Sequence, residues 1–195
     1  MTGVQTCALQ ICHNAAYRHF ADRDELLAAV ADAGMRALTA AGEERLARLD
    51  AELPDADPVL RARLRLREIG RSYVEFARAE AGLFRVAFAA FPSAPSTAPM
   101  VPEVEAADDA SPFGQLSGCL DDLVAVGYLA ASARPNAEFT CWSVVHGLAM
   151  LMLEGPLQRL DDATRRQVTD GALLAIDRGY GATTGVAGGS YVPLT

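Results

Sequence analysis

Apolar residues recur at helical spacing through most of this chain, and no stretch reads as a β-strand. Asp22-Arg-Asp-Glu25 predicts a helix start: Asp22 can accept a backbone N–H and Glu25 can reach back toward the cap. Behind it Leu26, Leu27, Val30, Met35 and Leu38 keep the period, and Pro54 and Pro58 end the segment. A second helix is predicted from about Val59 to Ala79, with Leu60, Leu64, Ile69, Tyr73 and Phe76 inward. Gly82 punctuates the chain before a short aromatic helix from Leu83 to Phe88 that reaches Phe91.

The stretch from Pro92 to Ser111 is rich in Pro, Ser, Ala and acids and predicts a long loop. Pro112 suits the first turn of the next helix, which should stop at Gly127. Asn136, after Pro135, is read as the cap of an apolar helix ending near Gly155-Pro156. The last helix starts at Asp161 or Asp162, with Val168, Leu173, Leu174 and Ile176 as its apolar positions. Beyond Gly179 the chain turns Gly- and Thr-rich and is expected to fray. The fold class is all-α.

Composition narrows the function. The formal charge of −8 argues against a protein that coats nucleic acid, yet allows a small basic reading head on an acidic body. Cys7, Cys12, Cys119 and Cys141 form no CxxC pair. They predict free thiols in a reducing cytoplasm, with no metal site and no cofactor. The most apolar run, Phe139 to Leu153, is too short to span a bilayer comfortably, and no signal peptide is evident. The expected location is cytoplasmic.

One segment carries a resemblance. His13-Asn-Ala-Ala-Tyr-Arg-His-Phe-Ala-Asp-Arg-Asp-Glu-Leu-Leu27 resembles the recognition helix and following helix of the TetR family of transcription regulators, through its Tyr17-Arg18-His19-Phe20 core. A recognition helix enters the major groove and meets base edges with its first residues. On that resemblance His13 and Asn14 are the base readers, and Tyr17 and His19 are phosphate contacts. Arg23, opening the next helix, adds a charged contact. Phe20 is read as core.

Only twelve residues precede His13, where a complete family member carries two more helices. Residues 1–11 resemble instead the translation of a sequencing-adapter oligonucleotide, departing from it at Gln10. Residues 1–12 are therefore taken as a non-native-looking segment, and the chain as it stands is expected to bind operator DNA poorly. Residues 13–50 read as the remnant of the DNA-binding domain, 51–178 as a ligand-binding and dimerisation domain, and 179–195 as a tail.

A second resemblance lies further on. Cys141-Trp-Ser-Val-Val-His-Gly147 resembles the Trp-His-Gly signature of one TetR-family C-terminal domain, through Trp142, His146 and Gly147. It implies a homodimer through the last two helices, an enclosed site for a small, apolar effector, and release of operator DNA, as a repressor, when the effector binds. Trp142 and His146 are four apart and share a helix face. Tyr73, Phe84, Phe88, Phe113, Trp142, His146 and Met150 are the candidate pocket residues, with ordinary core packing as the competing reading of each. An enzyme is disfavoured: Cys141 and His146, five apart on a helix, lie on different faces, and no phosphate loop, HExxH or GxSxG occurs.

Overall fold

The computed structural model describes residues 19–89 and 111–181. They form six α-helices: α1 (Arg23–Glu52), α2 (Pro58–Ala79), α3 (Ala81–Ala89), α4 (Pro112–Ala125), α5 (Ala137–Leu153) and α6 (Asp162–Gly181). Short 3-10 turns at Ala131–Ala133 and Pro156–Arg159 lead into α5 and out of it. No strand occurs among the described residues.

The helix ends follow local chemistry. At α1 the Glu25 N–H donates to Asp22 Oδ1 (2.8 Å), while the Glu25 carboxylate reaches past the cap to accept the N–H of Ala21, so both bonds tie down one end of a 30-residue rod. Asp57 caps α2 through the Leu60 N–H (3.0 Å), with Pro58 in the first turn where its missing N–H costs nothing. Ser111 does the same for α4 through Gly114 (2.9 Å), and Asp161 for α6 through Thr164 (2.8 Å). α4 closes in a Schellman turn. Tyr128 N–H reaches Leu123 O and Gly127 N–H reaches Val124 O, both at 2.9 Å, and the φ of +73° at Gly127 explains why glycine stands there.

Three local expectations change. Asn136 precedes α5 but makes no capping bond; it holds a left-handed φ of 64°. Gly82 lies inside α3, and the break between α2 and α3 falls at Glu80 instead. Leu60 is 44% exposed, because the buried face of α2 runs through Ala62, Leu66, Ile69, Tyr73, Phe76 and Ala77, and Leu60 stands two residues out of that register.

α2 is the central helix, touching α1, α3, α4, α5 and α6. Two core clusters share it. Its N-terminal half packs Ala62, Leu66 and Ile69 with Leu120, Leu123, Leu129, Cys141 and Tyr180. Its C-terminal half packs Tyr73, Phe76 and Ala77 with Leu38, Phe84, Val145, Leu148 and Met152. Gly70, between them, brings α2 against α6, where any Cβ would collide with the Leu173 side chain.

Candidate functional site

Between the two clusters lies a cavity of about 350 Å³, near the lower end of the range of ligand pockets, roughly 300–1,000 Å³. All six helices contribute to its wall. Met35 and Leu38 come from α1, and Leu66, Arg67, Ile69, Gly70 and Tyr73 from the middle of α2. Phe88 comes from α3, Pro112, Phe113 and Leu116 from α4 with Ser111 just before it, Cys141, Trp142 and Val145 from α5, and Leu173 and Ile176 from α6. The wall is almost wholly apolar, and Arg67 is its one charged side chain among the described residues.

On the side of the aromatic cluster three polar groups form a chain. Trp142 Nε1–H donates to the Tyr73 hydroxyl (3.1 Å), which meets His146 Nδ1 at 2.8 Å. Burial lowers the pKa of His146 below its ordinary value and so favours the neutral ring. A hydroxyl that accepts from Trp142 is left to donate to the bare Nδ1, which places the ring proton on Nε2. Burial also pushes the Tyr73 phenol up, so the hydroxyl keeps its proton. Around this chain Phe84 stacks on His146 at 5.7 Å and 29°, Phe88 lies 5.0 Å from it, and Tyr73 meets Phe84 edge-on at 5.5 Å.

Tyr73, Phe88, Phe113 and Trp142 are thus brought together on the cavity wall. Phe84, His146 and Met150 are not among the lining residues. Phe84 is fully buried in the aromatic cluster, His146 stands one turn beyond Trp142 behind the Tyr73 hydroxyl, and Met150 packs another turn along. Trp142 and His146 do share a face of α5, and the Tyr73 hydroxyl from α2 is what links them. Arg67 was not anticipated: in sequence it is one more arginine at the edge of an apolar helix face, a position that ordinarily points to solvent.

Of the DNA-contact candidates, His13, Asn14 and Tyr17 lie outside the described residues. His19 is exposed in the turn before α1, and Arg23 is exposed as its first residue. Cys141 faces the Tyr180 hydroxyl at 3.3 Å, and burial raises its thiol to about 11, so at neutral pH it is not a thiolate nucleophile. Among the described residues no group of His, Cys, Asp and Glu is arranged to hold a metal ion, and no helix is long and apolar enough to cross a membrane.

The chain is thus a helical bundle around a central helix, with an apolar cavity large enough for a small molecule. Residues 66–174, more than half the chain, match the family model described as "Tetracyclin repressor-like, C-terminal domain", and the chain belongs to that family. A solved structure titled "Structure of a protein with unknown function from Rhodococcus sp. RHA1" is similar to it. That likeness covers 88% of this chain and 80% of the other, at 26% identity and a TM-score of 0.63. No curated protein matches this chain significantly.

Proposed function

We propose that this protein is a cytoplasmic TetR-type transcription regulator, acting as a repressor, whose cavity takes a small and mainly apolar effector. The observation that carries the reading is the cavity itself: about 350 Å³ of apolar space in a body of the tetracyclin repressor-like family. Natural cores close such space, because a void forfeits packing contacts. Residues 13–50 are assigned to the DNA-binding head and 51–178 to the effector and dimer body, with the head's long helix α1 also walling the cavity through Met35 and Leu38. His13, Asn14, Tyr17, His19 and Arg23 are the proposed operator contacts. α1 is continuous from the head into the body core, where Leu38 is buried, so a change in the cavity would reach the head through one rod.

The dimer is assigned to α5 and α6. Thr140, Ser143 and Leu151 on α5, with Gln167, Gly171 and Ala175 on α6, remain exposed in the single chain. A Cβ added at Gly147 or Gly171 would meet open space, which leaves room for close helix approach. Effector binding would shift the population of head spacings and release operator DNA. Sedimentation velocity should give a dimer, and any complex that a gel shift with operator fragments shows at low salt should be lost when effector is added.

A second reading is an effector-binding dimer without operator affinity. The chain's net charge of −8 is in keeping with it. Effector binding with no gel shift at low salt would favour it.

A further inference from the structure

We infer that the effector is a hydrophobic carboxylic acid whose carboxylate pairs with Arg67. The inference rests on the reading of the cavity as an effector site and concerns the polar end of its ligand. α2 carries six arginines, and five have an acceptor. Arg61 reaches the Leu53 carbonyl (3.0 Å), Arg63 reaches Asp177 (2.7 Å), Arg65 reaches Asp50 (2.5 Å), Arg71 reaches Asp170 (2.5 Å) and Arg78 reaches Asp162 (2.5 Å). Arg67 has neither ion pair nor hydrogen bond among the described residues, and its Nε is buried without a partner. It is also the one arginine of the six on the cavity wall.

A guanidinium keeps its charge at any working pH, and a buried donor left unmatched costs stability. A chain that satisfies the other arginines of this helix with carboxylates or carbonyls leaves this one facing a space with no acid of its own. The planar fork of donors suits a carboxylate, which it holds by two parallel bonds. The remaining wall, with Leu66, Ile69, Phe113, Trp142 and Leu173, suits the hydrocarbon body of such an acid.

Trp142, the single tryptophan of the chain, lies on the wall and reports binding through its fluorescence. Decanoate and 1-decanol are the probes, alike in length and differing in charge. The full chain should bind decanoate at least about tenfold more tightly than the alcohol, since bonds to ionised groups are the stronger ones. Arg67→Met should erase that preference by weakening decanoate far more than the alcohol, and Arg67→Lys should keep part of it. Equal affinity of the unaltered chain for acid and alcohol overturns the assignment of Arg67 yet leaves the cavity reading standing. So does a preference that survives in Arg67→Met. Failure of both probes to perturb Trp142 overturns the cavity reading and the acid with it.

Discussion

The two core clusters on α2 are built from different materials. Around its N-terminal half, Leu120, Leu123 and Leu129 are at most 1% exposed, and the polar groups they surround are locked in charged pairs. Asp177, 2% exposed, receives two bonds from Arg63, at 2.9 and 2.7 Å, while Arg63 also lies over the Tyr128 ring. Glu138, fully buried, accepts from Arg134 (2.6 Å) and Ser117 (3.0 Å). Around the C-terminal half the polar groups are neutral and the packing is aromatic: Tyr73, Phe84, Phe88, Trp142 and His146. Close-packed aliphatic side chains with buried ion pairs have one good arrangement, because a separated buried charge is expensive. The cavity touches both clusters, so one side of its wall is backed by aliphatic packing with buried ion pairs and the other by aromatic rings with neutral hydrogen bonds.

The comparison predicts unequal responses to substitution. The largest loss is expected for Leu123→Ala in the aliphatic cluster, about 4 kcal/mol, since a fully buried leucine is replaced by a void. The midpoint of urea unfolding should show it. Next is Arg63→Met, which strands the Asp177 carboxylate inside the protein and should cost on the order of 3 kcal/mol in the same assay. A loss within a few tenths of a kcal/mol would mean that this pair does not lock α2 to α6.

On the aromatic side the effects should be smaller and visible as function. Tyr73→Phe removes the hydroxyl shared by Trp142 and His146 and should cost roughly 1–3 kcal/mol. It should also shift the Trp142 emission and alter probe affinity, which the aliphatic-cluster variants should not do in their folded fraction. The smallest effect concerns pH. His146 takes up a proton less readily in the folded chain than in the unfolded one, so below about pH 6.5 the unfolded state binds more protons. Stability should therefore be complete above that pH and decline as the pH falls from it toward the lowered folded value. His146→Asn keeps an acceptor for Tyr73 and cannot titrate, so its unfolding midpoint should change less between pH 7 and pH 5.5. An unchanged slope would remove His146 from the pH response.

Much of the helical layout was legible because it depends on neighbours in sequence. The cap at Asp22, the first-turn Pro112, the stop at Gly127 and the apolar period of α2 are local devices, and the structure shows each of them. Asn136 misled because a residue of capping type after a proline took a left-handed backbone in place of a side-chain bond. Leu60 misled because an apolar residue in a first turn reads as core until the register of the whole buried face is known.

The candidate site was legible in part. Four of the seven proposed pocket residues line the cavity, since aromatics on the inner faces of these helices converge on one space. His146 lies behind the wall because the Tyr73 hydroxyl, from a helix 69 residues away along the chain from Trp142, takes up both of their polar tips. Nothing in a linear reading separates Arg67 from Arg63 or Arg71. Asp177 and Asp170 find two of them from α6, and no described acid reaches the third.

By itself the sequence determined the all-α class, most helix ends and the family resemblance, because spacing, capping and motif are properties of adjacent residues. Only the tertiary structure decided which arginine of α2 lacks a partner, which aromatics face the cavity and which half of α2 packs beside buried ion pairs. Those are facts about distances between helices, and a charge is paired or bare according to what another helix brings within about 4 Å of it.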